Sequence, residues 1–152
     1  MTSVYETFCN SARRFPERDF LHIPAQACSA YHDGSIDLCY GDAVAGLERL
    51  KLSYAAAGYG RGHRVALMLQ NRPEFLLHWF ALNALGASVV PINDEMVPEE
   101  QAYIINHSEA CMLVYLPALD AKLDALRPLL ENPVAFLATD PAEQPAPATT
   151  PA

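Results

Sequence analysis

Apolar and polar residues follow one another along the chain in blocks whose spacing predicts helices and strands in alternation. Apolar residues recur every three or four positions in the helical blocks and form short continuous runs in the strand blocks. The predicted helices cover 4–14, 73–85 and 118–126, with one more after an N-cap at Asp42 that ends near Gly58 and one that opens at Pro98. The predicted strands cover 20–23, 36–40, 65–69, 88–91, 111–116 and 134–138. This alternation is typical of an α/β fold with a mainly parallel sheet and flanking helices.

The predicted helix over 73–85 is apolar on nearly all of its circumference. Pro73 suits the first position of a helix, and Gly86 suits the position just after its end. A helix that is apolar all round needs protein on most of its sides. His78 lies inside this helix, where a histidine of the core is more common than a metal ligand. His63 and His107 fall at the ends of predicted elements, and we expect both to be solvated.

The end of the chain has a different composition from the rest. Residues 139–152 read TDPAEQPAPATTPA, with four prolines and no large apolar side chain. Such a segment gains too little from burial to offset the entropy lost on ordering. We therefore predict an α/β portion over 1–138 and a flexible Pro/Ala/Thr-rich linker over 139–152, leading into a larger protein.

Charge and cysteine usage narrow the possible partners. The 152 residues include 10 basic and 18 acidic ones, a formal net charge of -8, which argues against nucleic acid as a partner. The longest apolar run is too short to span a bilayer, and no secretory signal is visible. The four cysteines are scattered without a C-x-x-C pair, which favours reduced thiols in a cytoplasmic protein.

No motif in the sequence supplies catalytic or metal chemistry. The glycine turn over 58–62 follows a helix and leads into a strand, which is the wrong polarity for a dinucleotide-binding loop. A phosphate-binding loop is missing, since the only lysines are Lys51 and Lys122 and neither follows a glycine-rich run. The five histidines lack metal-ligand spacing, and the acidic stretch 93–100 is better explained as a loop and helix cap than as a cation site. We predict neither catalytic residues nor a metal site.

Four segments in order resemble the N-terminal part of the adenylate-forming superfamily, which includes acyl-CoA synthetases, luciferases and peptide-synthetase adenylation domains. The segments read CYGDAVAGL, GYGRGHRVALMLQN, RPEFLLHWFALNALGASVVPIN and EEQAYIINHSEACMLV, and together they span about half of the chain. Within the superfamily they look most like the crotonobetaine/carnitine-CoA ligases. Two positions depart from the pattern, because His63 stands where the family usually has Asp and Asn83 stands near its usual Lys.

The resemblance implies that the parent is an AMP-forming acid–thiol ligase, which converts a carboxylate, ATP and CoA into acyl-CoA, AMP and pyrophosphate. It implies ATP, Mg²⁺ and CoA as cofactors of the parent and a small carboxylic acid as its substrate. In the family the ATP-binding loop and the catalytic lysine come after the region matched here, so we expect this chain to bind no cofactor by itself and to be inactive alone. The loop that follows the VPIN strand runs beside CoA in related enzymes, which implies that Asn93 and Asp94 lie near CoA.

Two interpretations of the chain stay open at this point. The first is a part of such a ligase whose partner is the remainder of the parent AMP-binding domain. The second is a free-standing, non-catalytic α/β module that binds another protein through the apolar helix over 73–85.

Overall fold

The computed structural model describes residues 3–139 and 143–149, which form six helices and six strands within those ranges. The helices are α1 (Val4–Arg14), α2 (Ala25–Cys28), α3 (Tyr40–Ala56), α4 (Pro73–Ala84), α5 (Pro98–Ser108) and α6 (Asp120–Leu126). The strands are β1 (Asp19–Ile23), β2 (Ile36–Cys39), β3 (Arg64–Met68), β4 (Ser88–Pro91), β5 (Met112–Tyr115) and β6 (Ala135–Ala138). Two short 3₁₀ turns, Pro117–Leu119 and Arg127–Leu129, flank α6.

Four of the strands form one parallel sheet in the order β4-β3-β5-β6. Every residue of β5 is buried, and so is β3 after its first residue. Strands covered on both faces carry continuous apolar runs, which explains the sequences of β3 and β5. The α/β fold with a mainly parallel sheet and flanking helices is confirmed.

The helices form two groups around this sheet. Helix α4 packs against α3 and α1, whereas α5 packs against α6. The antiparallel pair β1 and β2 lies outside the main sheet. It is joined to the core by four aromatic rings whose centroids lie between 4.9 and 6.1 Å apart, from Phe8, Phe20, Tyr40 and Phe80.

The start of α3 differs from the sequence prediction. Asp42 was expected to cap this helix, but the cap is Cys39, whose Sγ accepts a hydrogen bond from the Asp42 backbone N–H at 3.4 Å. Tyr40, expected at the end of a strand, is the first helical residue. Asp42 lies in the first turn, where its carboxylate is favoured by the helix dipole. The sequence-based prediction placed the helix start three residues late because Asp is the commoner cap.

His63 also differs from the prediction, because it is not solvated. Only 7% of its surface is exposed, and its ring packs against Tyr59 with the centroids 5.4 Å apart. His107 is exposed, as expected, and stacks on Tyr103. The turn over 58–62 is a structural helix-to-strand connection in which Gly58 and Gly62 have positive φ angles of 92° and 94°.

Helix α4 is only partly covered by protein, since most of its residues are half-buried. His78, Phe80, Ala81 and Leu82 are buried, whereas Trp79 is 40% exposed. Across the residues that the structure describes, no helix combines the length and the apolar character needed to cross a membrane.

Part of the predicted linker is described by the structure. Thr139 continues from β6, and 143–149 contains no helix or strand but contacts α3 and the turn before β3. Residues 140–142 and 150–152 lie outside the described ranges. The flexibility of 139–152 and the boundary at 138 stay predictions.

Candidate functional site

The parallel strands end at one edge of the sheet, and polar side chains from several elements meet there. Strand β4 lies on one side of β3 and strand β5 on the other, so the chain crosses β3 between them. In open α/β sheets ligands bind outside the carboxyl ends of the strands where the connections diverge in this way. The residues that follow β3 and β4 therefore form the first candidate site.

Asn93 shapes the loop that follows β4. Its side-chain Oδ1 accepts a hydrogen bond from the Glu95 backbone N–H at 3.0 Å, which is the geometry of an Asx turn. Its backbone carbonyl accepts a hydrogen bond from the buried side-chain amide of Gln101 at 3.0 Å. Asn93 itself is exposed. The buried Gln101 side chain thus holds the backbone of the loop, while Asn93 is exposed to solvent.

Asp94 is held by two side chains from other elements. Its Oδ2 accepts a hydrogen bond from Gln70 Nε2 at 2.9 Å. Lys122 Nζ donates to the Asp94 backbone carbonyl at 3.0 Å and lies 3.7 Å from Oδ2. The Asp94 side chain is 12% exposed and that of Lys122 is 54% exposed. Such a pair contributes at most about 1 kcal/mol to stability, but it places a positive charge beside the carboxylate.

Gln70 links Asp94 to a second cation. Its Oε1 accepts hydrogen bonds from Nε and a terminal nitrogen of Arg72, both at 3.2 Å. The guanidinium of Arg72 lies over the ring of Tyr31, 3.8 Å from the centroid. Gln70 has a φ of 57°, a left-handed conformation that costs a side-chain-bearing residue about 1–2 kcal/mol. Strain of this kind is concentrated at functional sites.

The cluster of Gln70, Arg72, Asn93, Asp94 and Lys122 is called the edge cluster below. It carries two cationic side chains and one carboxylate, in a chain whose net charge is -8. The balance suits an anionic ligand that also accepts hydrogen bonds from amides. Asn93 and Asp94 were expected from the sequence, whereas Gln70, Arg72 and Lys122 were not. Gln70 could have been predicted from the sequence as a candidate site residue, because it follows the carboxyl end of a buried strand.

A second feature is a cavity of about 500 Å³ between α3, α4, β6 and residues 143–145. Tyr54 and His78 lie in its wall, and both are buried. The Tyr54 hydroxyl oxygen and His78 Nδ1 form a hydrogen bond of 2.7 Å. Burial lowers the pKa of His78 to about 4 and raises the pKa of Tyr54. At neutral pH both side chains are therefore uncharged, and His78 is the core histidine expected from the sequence.

Neither feature holds a metal-ligand set. Within residues 3–139 and 143–149, no three His, Cys, Asp or Glu side chains are grouped so that they could hold a metal ion. The four cysteines are all free thiols.

Comparison with known proteins identifies relatives of nearly the whole chain. A family model described as AMP-binding enzyme matches residues 8–151. The crotonobetaine/carnitine–CoA ligase of Escherichia coli O139:H28 is 49% identical over 57 residues, which are 38% of this chain and 11% of that enzyme. The ligase of the same name from Shigella dysenteriae serotype 1 matches with the same identity and coverage. The matched segment is thus a small part of these relatives' length.

Solved structures share the fold. The N-terminal domain of FACL13 from Mycobacterium tuberculosis superposes with a TM-score of 0.78 at 23% identity, covering 99% of this chain and 39% of that one. A Mycobacterium tuberculosis fatty acyl CoA synthetase superposes with a TM-score of 0.74 at 23% identity, covering 98% of this chain and 30% of that one. At this level of identity the likeness establishes the fold.

Proposed function

Because the chain belongs to the family of AMP-binding enzymes, we propose that it supplies the N-terminal α/β part of a ligase that joins a carboxylic acid to coenzyme A. The observation that carries this proposal is the family match over residues 8–151, together with 49% identity to crotonobetaine/carnitine–CoA ligases over 57 residues. The carboxylate of the acid attacks the α-phosphate of ATP, which forms an acyl-adenylate and releases pyrophosphate. The CoA thiol then displaces AMP. Following the names of the relatives, the proposed substrate is a small carboxylic acid.

The proposed task of this chain is to border the CoA nucleotide with its edge cluster. CoA carries phosphate groups, and a bare Asp94 would repel them. Lys122 lies 3.7 Å from Asp94 Oδ2 and offsets that charge, which makes the loop compatible with an anion. The exposed Asn93 amide is available to donate hydrogen bonds to the ligand.

The ATP and Mg²⁺ chemistry belongs to other parts of the parent in this proposal. Stabilising pyrophosphate needs cations and oriented backbone amides. The chain has two lysines, and both bond acceptors of their own in the structure, since Lys51 donates to Glu48 and Lys122 donates to the Asp94 carbonyl. We therefore propose that the chain alone does not catalyse adenylation and works with the remainder of an AMP-binding domain.

The adenylation step is tested by ATP–pyrophosphate exchange. The purified chain is incubated with ATP, Mg²⁺, labelled pyrophosphate and a panel of short carboxylic acids, with a complete crotonobetaine/carnitine–CoA ligase measured in parallel. We expect exchange at background for the chain and clear exchange for the complete enzyme. Exchange above background that copurifies with the chain would overturn the proposed division of labour.

The CoA contact is tested separately by NMR. Titration with CoA should shift the backbone amides of residues 92–95, whereas titration with pantetheine, which lacks the nucleotide, should leave them in place. Lys122→Gln removes the compensating charge and should weaken the CoA response, and His32→Gln, at an exposed loop position, is the matched control. Equal shifts for CoA and pantetheine, or no shifts at millimolar CoA, would show that the edge cluster does not border the nucleotide.

A second candidate function is a free-standing interaction module that binds another protein through α4. It is favoured by Trp79, which stands 40% exposed on an apolar helix that is otherwise buried or half-buried. A ligase part that leaves apolar surface for its parent should bind a hydrophobic dye or self-associate. A chain that stays monomeric and unfolds cooperatively, with Trp79 accessible to solvent, would favour the module.

A further inference from the structure

We propose that the groove formed by the C-terminal end of α3 and the turn before β3 is a docking site for residues 143–149, and that His63 stabilises the docked segment. The segment is called the strap below. The proposal does not depend on the proposed function, since it concerns how the chain covers its own cavity.

Contacts along its length hold the strap to the rest of the chain. The Glu143 carboxylate accepts a hydrogen bond from the Ala138 backbone N–H at 3.0 Å. The Ser53 hydroxyl donates to Gln144 Oε1 at 2.6 Å. Further along, the Ala148 backbone N–H donates to the Ala57 carbonyl at 2.7 Å. The strap is therefore bonded near both of its ends.

His63 makes a further contact with the strap, at Thr149. Its Nε2 lies 2.8 Å from the Thr149 carbonyl oxygen, and its Nδ1 lies 3.1 Å from both the backbone nitrogen and the carbonyl oxygen of Gly60. When Nδ1 accepts from the Gly60 N–H, the ring proton sits on Nε2 and is donated to Thr149. An imidazole thus bridges the turn and the strap. An aspartate at this position would offer only acceptors and would face the carbonyl of Thr149 with a like partial charge.

The composition of the strap favours docking at low entropic cost. Pro145 and Pro147 fix φ in the unbound segment, so fewer conformations are lost when it binds. The small side chain of Ala148 fits over Gly58, where a Cβ built on the glycine would lie 3.7 Å from the Ala148 Cβ. The composition that predicts a linker therefore also allows the strap to bind this groove as a peptide ligand that is already partly ordered.

The strap has a structural consequence for the cavity that contains Tyr54 and His78. Glu143, Gln144 and Pro145 belong to the cavity wall. Release of the strap would remove that wall and admit water to the buried pair. Docking at His63 and hydration of the cavity are thus coupled, although His63 itself is not part of the cavity lining.

The role of His63 in docking of the strap is tested with two matched substitutions in the full chain. His63→Asn keeps an acceptor for the Gly60 N–H but places no donor near Thr149, whereas His63→Gln can place its amide donor where Nε2 lies. Hydrogen exchange of the Ala148 amide, measured by NMR, reports docking. We expect protection in the native chain and in His63→Gln, and exchange roughly 2- to 12-fold faster in His63→Asn, the range that corresponds to one hydrogen bond.

Unchanged protection of the β3 and β5 amides verifies that each variant is folded. Unprotected Ala148 exchange in the native chain would overturn the docking site, and equal exchange in the Asn and Gln variants would overturn the role of His63. Ala148→Pro provides an independent test, because it removes the donor to Ala57 at a position that lies at the margin of the core. We expect the His78 imidazole to titrate at higher pH in this variant, and an unchanged titration midpoint would show that the strap does not close the cavity.

Discussion

Acid should destabilise the fold through one buried histidine, His78. Its ring is buried, and its Nδ1 forms a hydrogen bond of 2.7 Å with the Tyr54 hydroxyl. Burial disfavours the charged imidazolium and lowers the pKa of His78 from 6.5 to about 4. In the unfolded chain the same side chain is hydrated and titrates near its ordinary value.

The sign of the effect follows from proton binding. Between pH 6.5 and about 4 the unfolded state binds a proton at His78 that the folded state does not. The contribution of His78 to stability is therefore complete above pH 6.5 and is lost as the pH falls toward 4. The difference between 6.5 and about 4, at about 1.4 kcal/mol per pKa unit, corresponds to about 3.5 kcal/mol in total. About 2 kcal/mol of this is lost between pH 7 and pH 5.

The assay is urea unfolding followed by the fluorescence of Trp79, the single tryptophan. Free energies of unfolding are measured from pH 8 to pH 5 for the native chain, for His78→Gln and for the exposed-site control His32→Gln. Other titrating groups are common to all three chains, so the difference between curves isolates His78. We expect the native chain and His32→Gln to lose about 2 kcal/mol more than His78→Gln between pH 7 and pH 5. Parallel curves for all three would refute the reasoning, because a buried neutral imidazole must produce this slope.

Three further predictions concern the same region. Tyr54→Phe removes the hydroxyl that bonds His78 and leaves a buried ring nitrogen without its partner. Thermal unfolding should therefore show a free energy of unfolding that is lower by about 1–3 kcal/mol. An unchanged free energy would mean that water replaces the hydroxyl. Gly58→Ala places a side chain on a backbone with a φ of 92°, which should lower the free energy of unfolding in denaturant by about 1–2 kcal/mol. Gly60→Ala should lower it less, because a Cβ there would make an ordinary 3.5 Å contact. Equal losses for the two variants would contradict this account. Trp79, 40% exposed, should be quenched by acrylamide in the folded chain, and a fully shielded emission would show that α4 is covered more completely than the structure indicates.

The sequence by itself determined most of the segments that become helices and strands, although it missed the short helix α2. The apolar run of β3 requires burial on both faces, and Pro73 and Gly86 mark the two ends of the α4 region whatever surrounds it. These are local properties, because side-chain periodicity and backbone restrictions act within a few residues. Asn93 and Asp94 were instead suggested by the family resemblance, and they lie in the loop after β4, at the carboxyl edge of the sheet.

Only the tertiary structure decided which side chains meet. Tyr54 and His78 are 24 residues apart, and His63 and the Thr149 carbonyl are 86 residues apart. The sequence around one member of each pair does not specify the other member. Side-chain periodicity indicates which face of an element is buried, but not which remote element covers that face. For that reason His63 was expected in solvent and lies under the strap. Lys122 likewise reaches Asp94 only because the parallel strands bring the ends of their loops to one edge of the sheet.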